Sequence, residues 1–261
     1  APSRGLGDVY KRQMGSVVYQ QYISDTPTTI VSNLKDDGYT CIAMHPYYET
    51  GWSRNLVYPH IGFDEMHFID YFDQTKILRE YITDQELYDK IIKRYENRKN
   101  NEKLFFMGIT MQNHGGYTET YDNFPENYYK VGRSYTDANQ YLSLVHESDE
   151  AVKNLISYFS KVDDPVEIIF FGDHQPSLNS NFYPILNGKG LTGLTEDELE
   201  KLYTVPFFIW TNYDTPEETV DITSLDYLST MALERAGIEL PAYNKFCLLY
   251  TSPSPRDGAT S

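Results

Sequence analysis

The chain is poor in cysteine, in tryptophan and in positive charge. Two cysteines, Cys41 and Cys247, stand in 261 residues. That is too few for the disulfide framework of a small secreted domain, and it leaves the redox compartment open. Lysine and arginine number 22 against 38 aspartates and glutamates, for a formal net charge of −16. Such an acidic surface argues against nucleic acid as a partner, although a locally basic pocket is still allowed. No apolar run reaches the ~20 residues of a membrane-spanning helix. The chain has no G-x-S-x-G, no Walker loop and no cysteine at a helix start, so no nucleophile is evident. Tyrosine, by contrast, is abundant at 24 residues. That suits a wet surface or a polyol-binding cleft, and a genomic composition bias would give the same count.

The two ends read as DNA adapter rather than protein. Ser3 to Gln13 is SRGLGDVYKRQ and Cys247 to Asp257 is CLLYTSPSPRD. Back-translated, the reverse complement of the first encodes the second in another frame, as a transposon-type library adapter would. Residues 1–13 and 247–261 are therefore set outside the fold. The remainder, 14–246, is expected to be a partial catalytic domain, truncated on both sides and large enough for one sizeable core.

Along the chain, helical and strand patterns alternate. Thr26 to Gly38 reads as a helix with Pro27 near its start and Gly38 at its end, with Ile30, Val31 and Leu34 inward. Tyr39 to Met44 is a strand closed by His45-Pro46. Residues 47–73 read as irregular and aromatic. Thr83-Asp84-Gln85-Glu86 resembles a capping box opening a helix to about Arg98, with Leu87, Ile91, Ile92 and Tyr95 on one face. Lys103 to Met111 is a buried strand. Ser134 to Lys161 holds a long helix with Tyr141, Leu142, Val145, Val152, Leu155, Ile156 and Phe159 inward. Val166 to Gly172 is an apolar run that suits a strand buried on both faces of a parallel sheet. Thr195 caps a short helix, Val205 to Trp210 is a strand with Pro206 at an edge or a start, and Ser224 to Ala236 is the last helix. The alternation predicts an α/β fold, a mostly parallel central sheet flanked by helices.

Three strands end in histidine: His45, His114, and the pair Asp173-His174. In a parallel sheet those ends share one edge, where ligands bind. Asp173 and His174 present hard oxygen and imidazole nitrogen to a divalent metal, although a catalytic metal normally takes at least three protein ligands. Arg54 suits bidentate grip of phosphate or sulfate, and Trp52 offers an apolar wall for a sugar or glycerol face. His60, His67 and His146 read as structural, and Glu49, Asp64 and Asp70 as solvated.

Together the words GYTCIAMHPYYETGWSRNLVYPHIGFDEM (38–66), FFMGITMQNHGGY (105–117) and FFGDHQPSL (171–179) resemble the lipoteichoic acid synthase branch of the sulfatase and alkaline phosphatase superfamily. The resemblance covers nearly all of 14–246. It implies that Asp173 and His174 complete a metal site, usually manganese, with magnesium or zinc possible and calcium in a sulfatase. It implies that His45, Trp52 and Arg54 bind substrate, and that His114 contacts the phosphoglycerol group and assists proton transfer. A threonine nucleophile and a glutamate ligand are expected upstream of this chain, which is therefore expected to be inactive alone. The implied reaction moves glycerol phosphate from a phosphatidylglycerol-type lipid to a polyglycerolphosphate, glycolipid or glycan acceptor. The implied location is a membrane anchor with the catalytic domain outside the cell. The family's His-Gly-Asp is His45-Pro46-Tyr47 here, a lost carboxylate that leaves acceptor and lipid open. The competing readings are a sulfatase or phosphodiesterase using water on the same fold, and a non-catalytic glycan-binding relative.

Overall fold

The computed structural model describes residues 28–124 and 135–250. Pro27, Gly132, Ser134 and most of both adapter-like ends lie outside them. The chain forms two compact units, one up to Val152 and one from Lys153.

In the first unit, α1 (Ile30–Asp36) starts at Thr29, whose hydroxyl accepts from the Ser32 amide while the Ser32 side chain returns to the Thr29 amide. This reciprocal cap satisfies amides that the first turn leaves unpaired. Val31 and Leu34 are buried, Ile30 only half-buried. Gly38, at φ +85°, turns the chain into β1 (Tyr39–Met44).

The segment read as irregular contains α2 (Arg54–Ile61), with Pro59 inside it and Gly62 ending it at φ +94°. Its buried face is Arg54, Val57 and Tyr58. A stripe led by arginine and tyrosine, with a proline two residues from the end, carries no apolar helical signature, which is why the sequence hides it. Next come β2 (Glu65–His67), the short strands β3 (Ile77–Leu78) and β4 (Tyr81–Ile82), and α3 (Asp84–Glu96).

At α3 only half of the expected capping box forms. The Thr83 hydroxyl accepts from the Glu86 amide, but the Glu86 carboxylate turns to the Asp73 amide and Lys90. Leu87, Tyr88 and Ile91 are buried, whereas Ile92 and Tyr95 are half-buried. Then β5 (Lys103–Gly108) leads to α4 (Thr136–Phe159). Val145, expected inward, is exposed. The buried stripe there runs instead through Gln140, Ser143, Leu144 and Ser148, because Gln140 meets Arg79 and Ser148 meets Gln112 and Asp84. Val152, Leu155 and Phe159 are buried as expected; Tyr141, Leu142 and Ile156 are half-buried.

The sheet of this unit has the order β2-β1-β5, all parallel. β1 lies at its centre, and Cys41, Ile42 and Met44 are fully buried. Parallel pairing carries the ends of β1 and β5 to one edge, with Met44 opposite Gly108. His45 and the loop of His114 leave from that edge.

The second unit holds β6 (Glu167–Phe171), the short helices α5 (Tyr183–Asn187) and α6 (Glu196–Glu200), β7 (Phe207–Thr211), α7 (Leu225–Arg235) and α8 (Ala242–Tyr250). β6 pairs antiparallel with β7, from Glu167 opposite Thr211 to Phe171 opposite Phe207. All five residues of β6 are half-buried. This corrects the expectation of a parallel strand buried on both faces: an apolar run records burial tendency and carries no information on strand direction. Pro206 sits just before β7, where no ladder amide is lost. The side chain of Asn212 closes the unit, accepting from the Val166 amide and donating to the carbonyls of Phe159, Val162 and Asp164. The helix ending at Ala236 and Gly237 is not the last one. α8 follows and runs into the adapter-like segment, burying Cys247.

Candidate functional site

The sequence-predicted residues His45, Trp52, Arg54 and His114 come together in the first unit. His45 is 1% exposed and has both ring nitrogens engaged. Nε2 lies 3.0 Å from Arg54 Nη1, and Nδ1 lies 2.9 Å from the Ile109 carbonyl oxygen. A guanidinium only donates, so Nε2 is the acceptor and Nδ1 carries the proton. Burial, helped by the nearby Arg54 charge and opposed by the Ile109 hydrogen bond, pulls the imidazole down to about 4. His45 is therefore a neutral prop for Arg54 rather than a group that reaches a ligand itself.

Arg54 is buried at the start of α2. Nε donates to the Tyr58 hydroxyl one turn on at 3.0 Å, and Nη1 also approaches the Gly51 carbonyl at 3.4 Å. Its guanidinium lies 4.5 Å from the centre of the Trp52 ring. Among the described residues no carboxylate pairs with it. Arg94, in the same unit, is the contrast: it is clamped between Glu65 and Glu102, both at 2.8–2.9 Å. A buried cation with only neutral partners favours an anion arriving from outside.

Trp52 is placed by unusual backbone. Trp52 and Ser53 both have left-handed φ, +52° and +58°. For residues with a Cβ this costs roughly 1–2 kcal/mol each. Gly51 makes room, since a Cβ there would meet the Tyr47 ring at 3.0 Å. The turn sets the Trp52 ring edge-on to His45 and to His114, 6.0 and 5.9 Å away between centroids.

His114 is exposed. Its Nδ1 lies 3.3 Å from the Tyr81 hydroxyl and 3.2 Å from the Gly115 carbonyl. Nε2 makes no hydrogen bond among the described residues. The loop that carries it is held by Arg79, which donates to the carbonyls of Gln112, His114 and Gly116 and to the Gln140 side chain. Below the loop, the buried Asp84 carboxyl takes the Ser148 hydroxyl, which also accepts from Gln112 and Asn113. Burial pushes Asp84 up to about 6.

Sequence reasoning missed Tyr81 and Arg79, which arrive from the β3–β4 hairpin with no motif to mark them. It noticed Tyr47 only as a lost carboxylate, whereas the ring packs 5.9 Å from Trp52 and 6.3 Å from Tyr81. Asp64, expected to be solvated, pairs with Lys35 and accepts from the Cys41 amide, both at 2.8 Å. His67 is structural, stacked on Tyr71 at 3.9 Å.

Asp173 and His174 follow β6 in the second unit and are exposed. The expected meeting of three strand ends on one parallel sheet is corrected to two, because β6 pairs with β7 instead. Within the pair, His174 Nδ1 lies 2.9 Å from the Gln175 carbonyl, which fixes the proton there and leaves Nε2 as a lone-pair donor. Nε2 is 3.6 Å from Asp173 Oδ2. The two groups fit two ligands of a divalent metal. Among the described residues no cluster of three or more His, Cys, Asp or Glu completes a site.

Over 240 residues the chain is 28% identical to a Rhizobium meliloti protein named for cyclic beta-1,2-glucan modification, covering 89% of this chain and 37% of that protein. It is 30% identical over 146 residues to lipoteichoic acid synthase of Staphylococcus saprophyticus, covering 54% of this chain and 22% of that one. The chain thus spans well under half the length of these relatives. Among solved structures, the Streptococcus pyogenes phosphoglycerol transferase GacH, in complex with sn-glycerol-1-phosphate, superposes with a TM-score of 0.68 at 22% identity. The match covers 93% of this chain and 63% of GacH, and the shared fold is alkaline phosphatase-like. The sulfatase family profile matches residues 6–238, and the chain belongs to the sulfatase family, with lipoteichoic acid synthases and phosphoglycerol transferases among its relatives.

Proposed function

We propose that this chain is part of the catalytic domain of a phosphoglycerol transferase, and that Arg54 receives the phosphate. The observation that carries the reading is the buried Arg54 guanidinium, propped by a neutral His45, laid against Trp52 and matched by no carboxylate among the described residues. The bound sn-glycerol-1-phosphate of GacH and the lipoteichoic acid synthase relatives support it. In this reading Arg54 donates to the phosphate through Nη2, which no hydrogen bond to a described residue engages, and Trp52 covers the glycerol carbons.

The family resemblance supplies the remainder. A threonine oxygen bonds to phosphorus as the bond to the diacylglycerol oxygen of a phosphatidylglycerol-type donor breaks, and the threonine proton passes to the departing diacylglycerol oxygen. An acceptor hydroxyl then bonds to phosphorus as the threonine–phosphorus bond breaks; His114 Nε2 takes the hydroxyl proton, and the released threonine oxygen regains a proton. Asp173 and His174 would hold a divalent metal, manganese in this reading, which would supply Lewis-acid polarisation. The acceptor is a glycan or polyglycerolphosphate of the cell envelope, and the whole protein sits at the membrane with this domain outside. Among the described residues no helix is long and apolar enough to cross a membrane.

The test is a titration of the 261-residue chain with sn-glycerol-1-phosphate, read by Trp52 fluorescence in a Trp210→Phe background. Saturable quenching that disappears in Arg54→Ala, with weaker binding of inorganic sulfate, is expected. Equal binding by Arg54→Ala, or tighter binding of sulfate, would remove the phosphoglycerol reading.

A further inference from the structure

Beside the Arg54 site lies a second surface that the proposed chemistry does not use. A shallow cleft of about 90 Å³ opens between the 46–48 segment and the β3–β4 hairpin. Its walls include Tyr47, Tyr48, Tyr81 and Ile77, and its polar groups are Gln74 and Glu80. We propose that this cleft binds a neutral sugar ring of the acceptor, a deepening that rests on the transferase reading above.

Continuity is the first argument. Tyr47 and Tyr81 belong to both places: Tyr47 packs against Trp52, and the Tyr81 hydroxyl is 3.3 Å from His114. A molecule in the cleft therefore ends beside the imidazole assigned to take the acceptor proton. The wall chemistry is the second. Tyr47 and Tyr48 meet edge to face at 5.2 Å, and Tyr48 is 58% exposed. Exposed tyrosine rings offer apolar faces to the C–H side of a pyranose and hydroxyls to its rim, at low entropic cost. The Gln74 amide and Glu80 carboxylate, both exposed, add donors and acceptors for sugar hydroxyls.

Charge is the third argument, and it selects among acceptors. Glu80 is the carboxylate of the cleft wall. The adjacent Arg79 turns its Nη1 and Nη2 groups away, to the carbonyls of Gln112, His114 and Gly116 and the Gln140 side chain, all neutral oxygens. Among the described residues no lysine or arginine lines the cleft. A polyanionic glycerol phosphate chain would meet the Glu80 carboxylate there, on a chain of formal charge −16. A neutral ring would meet hydrogen-bond partners.

The experiment is saturation-transfer NMR on the 261-residue chain with two probes, sophorose (a neutral glucose disaccharide) and a glycerol phosphate oligomer. It is run beside the Trp52 titration with sn-glycerol-1-phosphate. Sophorose should bind. Tyr48→Ala and Glu80→Gln, both at exposed side chains, should each weaken it by about tenfold and leave the glycerol phosphate titration unchanged. Glu80→Lys should shift preference towards the oligomer. Wild-type preference for the oligomer, or sophorose binding that neither Tyr48→Ala nor Glu80→Gln alters, overturns the inference while the transferase reading stands. Sophorose binding lost in both variants without any glycerol phosphate binding leaves a sugar site and overturns the transferase reading instead.

Discussion

His45 shows how a residue type read as a ligand-binding group can serve one step back. Its burial leaves no face for a ligand, and the Arg54 and Ile109 bonds occupy both nitrogens. The pKa near 4 has a consequence for stability. The unfolded imidazole takes its proton near 6.5 and the folded one only near 4, so between those values the unfolded state binds more protons. Acidification from about pH 6.5 to 4 should therefore erode stability by up to roughly 3 kcal/mol, with no further loss from this group below that. Asp84 works the other way: its folded carboxyl, raised to about 6, binds a proton that the unfolded one releases, so it adds stability as pH falls through that range. The clean readout is the difference in thermal midpoint between wild type and His45→Gln, which keeps an acceptor for Arg54. That difference should narrow on acidification from pH 6.5 to 4. A pH-independent difference would mean that the folded imidazole titrates like the free one.

At the scale of elements, the Gly51–Ser53 turn is the strained part of the site. Ser53 has left-handed backbone, and its side chain caps no amide of α2. Ser53→Gly should then raise stability by about 1 kcal/mol in urea unfolding, because glycine takes that conformation without the steric cost. Destabilisation by the glycine would show that the serine side chain does something the hydrogen bonds do not record. Elements such as this also mark where the sequence was readable. α1, β1, α3 and β5 announce themselves by caps and apolar periodicity, and the ends of β1 and β5 by a histidine just past an apolar run. α2 does not, because its inward face is led by Arg54 and broken by Pro59. The direction of β6 does not, because Ile168 to Phe171 read the same whichever way the partner runs. Arg54 and Trp52 were legible from their closeness to His45 along the chain. Tyr81 and Arg79 reach the same site from a distant hairpin, and only folding reveals that.

At the scale of the whole molecule, the chain presents its two candidate chemistries on separate units, the anion-seeking arginine on the first and the Asp173-His174 pair on the second. With two protein ligands the pair should hold manganese weakly. Titration of Mn²⁺ followed by loss of its free-ion EPR signal should show a site that His174→Ala abolishes and Arg54→Ala leaves intact. Binding indifferent to His174 would remove the pair from the metal assignment.

The cysteines are divided in the same way. Cys41 is fully enclosed in the central strand of the first unit, with burial the main reason its thiol is pushed up to about 11, and Cys247 is buried in the last helix of the second. Neither thiol can meet an alkylating reagent until its own surroundings open. Each unit thus carries a built-in clock. Mass spectrometry of slowly alkylated protein should show two labelling rates, and they should respond independently to Ser53→Gly, which slows the first alone. Equal rates that shift together would show that the units open as one.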